Sequence, residues 1–346
     1  MNTFDILKKL TDIGAVSGEE NATYTTLDEI FDDFDIQKQL GGYCVSLGNQ
    51  NAETHILLDA HIDRIGFKVT SITDDGFLTV DKCGGIDKRI LPSQKVKVHG
   101  KKEVLGVFCS TPPHLSADDD KIPEISDMFI DIGMSKENAE KYISLGDSVS
   151  FDSNLRKMYG SIVSSAALDN RAGCCAVILA AMALKNSNVN TKITVAFSNQ
   201  EEIGGSGAKM LGFSQSPDYA VCVDVSFANA LGENREKCGI MSKGAMIGYS
   251  PVLDKELYTL CVETAKSANI PYQYEIMSGN TATNADTYGI ANGGVKCALV
   301  SIPIRCMHTA VESCDLKDIE TTAALLCEFV KNIANKGTAK VERGDF

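Results

Sequence analysis

Five short segments set acids or imidazoles beside apolar runs: Ala60-His61-Ile62-Asp63, Ala167-Leu168-Asp169-Asn170-Arg171, Asn199-Gln200-Glu201-Glu202-Ile203-Gly204, Val223-Asp224-Val225 and Cys306-Met307-His308-Thr309. Singly, each has an ordinary reading. A lone His is more often a satisfied or surface residue than a ligand, an Asp after a strand is commonly a helix cap, and an exposed Glu-Glu pair is usually only solvated. Together, two histidines and three or four carboxylates form a set that can hold two divalent ions with one carboxylate shared. Two cations a few ångströms apart repel strongly unless anionic ligands offset their charge. Carboxylates therefore suit a dinuclear centre better than imidazoles, and a total of five histidines is no obstacle.

Adjacent Glu201 and Glu202 are the sharpest local clue. Neighbours in an extended segment point to opposite sides, but at a tight strand-to-loop turn eased by Gly204, Gly205 and Gly207 both can reach one cavity. One can hold metal while the other takes a proton from bound water. The spacing of His61 and Asp63 lets a neighbouring carboxylate steady the imidazole, or its loop, from behind.

Positioning such groups needs a scaffold. At 346 residues, and with ~150 residues per domain, the chain has room for two domains. Apolar residues make up 44% and charged residues 23%, values that exclude wholesale disorder, collagen and low-complexity fibre. The 33 Lys plus Arg against 46 Asp plus Glu give a net charge of -13. That sign repels phosphate backbones and anionic headgroups, so neither nucleic acid nor a membrane surface is an expected partner. No signal-like N-terminus and no apolar run long enough to span a bilayer is present, which makes the cytoplasm the expected location. The 12 cysteines have no CxxC spacing and read as small packing residues rather than a disulfide framework or thiolate zinc site.

The first 35 residues read as two helices around a turn at Gly14 to Gly18, with Ser17 and Glu20 in capping-box spacing. A buried strand from His55 to Ala60 then ends just before His61. Short alternating runs over residues 69–158, broken by turn signals such as Asp75-Gly76, read as a small inserted β-rich unit with an exposed loop from Thr111 to Glu124. The rest, 1–68 plus 159–346, reads as one discontinuous catalytic α/β domain. Its expected strands run from Lys192 to Ser198, Tyr219 to Val225, Gln273 to Ile276 and Lys296 to Ile302. They alternate with helices from Arg171 to Leu184, after Asp254, and through Ile319, Ala323, Leu326, Val330 and Ile333 with Asp315 as N-cap. Such alternation implies a sheet covered by helices on both faces. The five clusters fall just beyond its strands, where open α/β sheets build their sites.

Several motifs in order, AHIDRIGF, GGIDKRIL, STPPHL, MFIDIG, GDSVSF, ALDNRAGC, NQEEIGGSGA, VDVSFA and SIPIRCMHTAVE, make the chain resemble the M42 family of dinuclear metalloaminopeptidases over nearly its whole length. The resemblance implies a zinc-exopeptidase-like mixed α/β sheet flanked by helices, with an inserted small β-barrel-like domain that mediates oligomerisation. It implies that Asp169 bridges two divalent ions, Zn2+ or Co2+, with His61 and Asp224 completing one site and Glu202 and His308 the other. Glu201 would act as general base and Asp63 would stand behind His61. The implied activity is release of N-terminal residues from short peptides through a metal-bridging hydroxide, by a homo-oligomer that in the family reaches a dodecamer. Three positions depart from the family's usual pattern: Arg64 stands for Glu, Ala230 for Asp, and Ala282-Thr283-Asn284-Ala285 for Gly-Thr-Asp-Ala. Arg64 could favour an acidic substrate side chain, but pairing with a surface carboxylate is the preferred reading. Two alternatives remain open at this stage. One is a glycoside hydrolase using paired carboxylates, disfavoured by the absence of Trp and 7% aromatic content. The other is a catalytically weak scaffold of the same fold.

Overall fold

A computed structural model of the chain describes residues 1–110, 114, 122–231 and 237–335. Helices α1 (Thr3–Thr11) and α2 (Tyr24–Ile30) precede strands β1 (Asp35–Gln39), β2 (Gly42–Gly48) and β3 (His55–His61). Next come β4 (Gly66–Ile72), β5 (Leu78–Cys83), β6 (Lys95–His99), β7 (Glu103–Phe108), β8 (Ile130–Asp131), α3 (Lys136–Tyr142) and β9 (Ser148–Phe151). Two short strands, β10 (Arg156–Lys157) and β11 (Ile162–Ser165), lead to α4 (Leu168–Leu184), β12 (Lys192–Ser198), α5 (Ser206–Gln215) and β13 (Tyr219–Phe227). The chain continues through β14 (Ala245–Tyr249), α6 (Lys255–Ser267), β15 (Tyr272–Ile276), α7 (Asn284–Tyr288), β16 (Lys296–Ile304), β17 (Glu312–Asp315) and α8 (Leu316–Asn335).

Eight strands form one mixed sheet in the order β1-β2-β12-β3-β13-β16-β14-β15, while β4 to β9 close into a separate barrel. The expected architecture, a mixed sheet flanked by helices with an inserted small barrel, is what the chain forms. At the centre of the sheet β12, β3, β13 and β16 run parallel. A parallel sheet must be covered on both faces, and β3 is accordingly buried at every residue. Successive side chains alternate between the faces. Ile56, Leu58, Val195, Phe197, Val223 and Val300 pack among residues of α1, α4, α6 and α8. Leu57, Ala196, Ala220, Cys222 and Leu299 pack on the other face with Ala208 and Leu211 of α5 and Ala285 and Tyr288 of α7. The small residues of this second set let those shorter helices sit close to the sheet. None of the 12 cysteines is joined in a disulfide among the described residues, and Cys174 and Cys175 are buried in α4.

The barrel has its own core, in which Phe67 meets Phe108 and Phe151 edge-on. Most of the loop expected from Thr111 to Glu124 lies outside the described residues.

Local signals held at two helix starts. Asp254 accepts from Glu256 and Leu257 N–H at the start of α6, and Asp315 accepts from Lys317 N–H at the start of α8. The Ser17–Glu20 capping box does not form. Ser17 Oγ donates to Asp63 Oδ2 at 2.6 Å, and Glu20 Oε1 accepts from Gly18 and Gln200 N–H. A buried carboxylate is a stronger acceptor than the local turn requires, so the tertiary contact wins.

Phe197 is fully buried against Phe31 and Tyr43. Its truncation to Ala should cost about 3–5 kcal/mol, read from the urea midpoint at unchanged slope. A loss below about 1 kcal/mol would mean that this cluster is not part of the cooperative core.

Candidate metal centre

The parallel strands all end at one edge of the sheet, and the chemistry collects there. His61 is the last residue of β3, Asp224 lies within β13, Glu201 and Glu202 follow β12, Asp169 sits at the start of α4, and His308 follows β16. Backbone geometry makes these turns abrupt. Ala167, Gln200, Cys306 and His308 all have φ between +56° and +61°, a left-handed conformation that non-glycine residues adopt only where surrounding structure enforces it.

Asp169 stands in the middle. Its Oδ1 lies 3.2 Å from His61 Nε2, and its Oδ2 lies 3.2 Å from His308 Nε2. Asp224 Oδ1 approaches the same His61 nitrogen at 3.7 Å, and Glu202 Oε2 approaches the same His308 nitrogen at 3.4 Å. One carboxylate thus shares its two oxygens between an imidazole–Asp224 pair and an imidazole–Glu202 pair. Glu201 faces the same cavity, which measures about 770 Å3.

A layer of fixed groups holds these side chains. Asp63 Oδ1 lies 3.3 Å from His61 Nδ1, while its two oxygens accept from the backbone N–H groups of Glu201 and Glu202 at 3.1 and 3.2 Å. A single buried carboxylate therefore fixes both the β3 end and the β12 turn. Glu312, the last residue of the SIPIRCMHTAVE motif and without a role assigned from sequence, plays the matching part on the other side. It accepts from Asp169 N–H at 3.1 Å and His308 N–H at 2.8 Å. Its four-residue spacing from His308 was the available signal, but the receptor of those bonds is visible only in three dimensions. His308 Nδ1 lies 2.7 Å from the carbonyl of Gly85, in the segment after β5. A carbonyl only accepts, so Nδ1 carries the proton and Nε2 is directed at Asp169 and Glu202. A Cβ on residue 85 would lie 3.1 Å from that imidazole nitrogen.

The electrostatics describe a site crowded with negative charge. Burial pushes the Glu201 carboxyl up to about 8, with neighbouring Asp224 and Asp169 adding to the rise against the pull of His61. Burial raises Glu202 and Asp224 as well, Asp169 being a further cause for both. Burial opposes the charge of Asp169 too, but His308 and His61 outweigh it and hold its carboxyl low. Against the same burial penalty, Asp169 and Glu202 lift His308 to about 10. Carboxylates that are raised by one another and imidazoles that are held as cations indicate a site short of positive charge. His61, Asp169 and Glu202 each offer a donor atom within 4.8 Å of the others, and buried Glu202 Oε1 has no hydrogen-bond partner among the described residues. Oxygen and imidazole donors of this kind suit a divalent cation.

The departures noted in the sequence fall elsewhere. Arg64 is buried at 2% exposure, with Arg171, Glu312 and Glu202 as its charged neighbours. It lies neither on the surface nor among the cavity's lining residues, so neither the surface pairing nor the role toward an acidic substrate fits. Ala230 does not line the cavity either. Asn284 is buried under the sheet, where its Nδ2 donates to Asp59 Oδ2 at 2.9 Å and lies 2.8 Å from Ser198 Oγ. Ser198 Oγ also donates to Asp59. The remaining histidines take structural places or the surface: His55 meets Thr194, His99 meets Ser150, and His114 is exposed.

A family model described as M42 glutamyl aminopeptidase matches residues 41–325. A lysyl aminopeptidase of Pyrococcus furiosus is 30% identical over 94% of this chain and 96% of its own. A glutamyl aminopeptidase of Lactococcus lactis is 26% identical over 99% of both chains. Among solved structures, the TET1 peptidase of Pyrococcus horikoshii, described as assembling into a tetrahedron or a large octahedral shell, superposes with a TM-score of 0.85. It is 32% identical and the match covers 95% of this chain and 99% of that one.

Burial holds the Asp59 carboxyl near 7 despite its two donors. Replacing Asn284 by Asp would set a second carboxylate against it and force the pair to share a proton. With folded-state pKa values raised above the unfolded ones, the variant keeps its stability at pH 5 and loses it as pH rises. The deficit relative to the native chain should grow by about 2 kcal/mol between pH 5 and 8. Urea unfolding across that range checks this, and a pH-independent difference would refute it.

Proposed function

The chain belongs to the M42 glutamyl aminopeptidase family, and from that premise we propose that it works as a dinuclear metalloaminopeptidase on short peptides. It is a metal-dependent aminopeptidase that releases N-terminal residues; the two-ion centre and the residue roles are our reading. The observation that carries it is the placement of Asp169, whose two oxygens lie 3.2 Å from His61 and 3.2 Å from His308. We assign Asp169 as the bridging ligand, His61 and Asp224 to one ion, and Glu202 and His308 to the other. Zn2+ or Co2+ fits this mixture of imidazole and carboxylate donors.

When bound, the ions would polarise a peptide carbonyl and lower the pKa of a water. Glu201 supplies the proton movements. It faces the same cavity and is not needed as a ligand, so it accepts a proton from the attacking water and returns it to the leaving amine. Its carboxyl, raised by burial and by the neighbouring acids, is brought down when cations neutralise those acids, which leaves it ionised and ready to accept. Asp63 is not in contact with substrate on this reading. It fixes the imidazole of His61 and the turn that presents Glu201 and Glu202.

The glycoside hydrolase alternative is not supported, since the family and the named relatives are aminopeptidases. A catalytically weak scaffold is disfavoured by the intact constellation. Among the described residues no helix is long and apolar enough to cross a membrane. The shell-forming assembly of the Pyrococcus horikoshii peptidase supports a homo-oligomer here, with the barrel of β4 to β9 as assembly element and a dodecamer as the model assembly.

Glu201→Gln should retain metal, measured by elemental analysis against protein concentration, while hydrolysis of aminoacyl-p-nitroanilides falls by about 100-fold or more. Full activity in that variant would remove Glu201 from its assigned role. Light scattering after size exclusion should give a mass several times that of one chain, and a monomer alone would overturn the assembly reading.

A further inference from the structure

The family relatives differ in the side chain they are named for, lysyl in one and glutamyl in another, so the preference of this chain must be written in its cavity. One carboxylate there has no place in the proposed metal chemistry. Glu275, in β15, lines the cavity beyond Asp224. Its Oε2 accepts from Ser301 Oγ at 2.6 Å, and Ser226 is a second hydroxyl partner. Ser301 is the register neighbour of Asp224 across β13 and β16. The Glu275 carboxylate is therefore one strand spacing, about 5 Å, plus a hydrogen bond away from a proposed ligand. That is the reach of a long side chain extending from a residue bound at the centre.

We infer that this cavity selects peptides with a basic N-terminal residue, Lys or Arg, whose cationic end is received by Glu275. The inference rests on the aminopeptidase reading and deepens it. Two hydroxyl donors fix the carboxylate in one orientation yet leave it lone pairs for a further donor. Part of the surrounding wall is apolar, with Met246, Met307, Phe227 and Ile276 lining the same space beside Ser226, Ser278, Asn280 and Thr281. Such a wall suits the methylene stem of Lys or Arg, with the charge carried at its end. An acidic side chain would meet Glu275 with like charge in a partly desolvated place, which is costly. Among the described lining residues the one Lys or Arg is Lys237, an exposed residue.

The test is a panel of Lys, Arg, Leu and Glu aminoacyl-p-nitroanilides hydrolysed by the metal-loaded native protein, Glu275→Gln and Glu275→Lys. The native protein should show higher kcat/KM for Lys and Arg than for Leu, and least for Glu. In Glu275→Gln the Lys-to-Leu ratio of kcat/KM should fall by about 10- to 100-fold, the span of a lost charge-assisted hydrogen bond, with most of the change in KM. In Glu275→Lys the Glu-to-Lys ratio should invert. Leu hydrolysis, abolished by chelator, reports the aminopeptidase reading independently of the Glu275 contact. Equal loss on Lys and Leu in Glu275→Gln would overturn the inference, because Glu275 would then serve the α-amine common to both. A native preference for Glu would overturn it as well, while leaving the aminopeptidase reading intact. No chelator-sensitive hydrolysis of any substrate would sink both.

Discussion

Everything about this fold answers to one electrostatic problem: Asp63, Asp169, Glu202 and Asp224, together with His61, are held almost out of water at the rim of one sheet. Like charges in a poorly screened setting repel over longer distances than at a surface. They stay together only because each is tethered from a direction the repulsion cannot relax. Asp63 is held by Ser17 and two backbone N–H groups, and Glu312 in turn holds the backbones of Asp169 and His308. The rigid parallel core beneath supplies the fixed ends for those tethers. Cations fit this place because the protein has already assembled the negative charge that they would neutralise.

Much of this could be read from the chain. Stretches rich in apolar residues, from His55 to Ala60 and from Tyr219 to Val225, carry the strand signal in their composition, and the acids and imidazoles at or near their ends carry the site signal. Asp254 and Asp315 act as caps because a cap is a contact between near neighbours, which local sequence can specify. The Ser17–Glu20 expectation failed for the complementary reason. Ser17 is claimed by distant Asp63, and Glu20 is shared between neighbouring Gly18 and distant Gln200, a competition that a four-residue window does not weigh.

Arg64 and Glu312 show the same limit at the site. Arg64 stands three residues from His61 and Glu312 four from His308, but spacing cannot tell a side chain that points into a cavity from one that points into the protein. Arg64 points inward, where its guanidinium has charged neighbours but, among the described residues, no hydrogen-bond partner at Nε or Nη2. Glu312 is bound up entirely with backbone. Asn284 is the instructive case among the departures. It sits on the face of the sheet opposite the large helices, where its Nδ2 donates a hydrogen bond to the buried Asp59, a contact with the protein and not with substrate.

The contact from the Gly85 carbonyl to His308 crosses from the barrel side of the chain to the catalytic edge. An inserted unit is often treated as cargo that recombination can exchange between relatives without disturbing the host. Here that freedom is curtailed, because whichever barrel is inserted must return a carbonyl to the same imidazole with no side chain in the way. The barrel segment and the sheet rim are therefore coupled through that hydrogen bond, and a barrel transplanted from a relative would have to meet the rim with the same carbonyl.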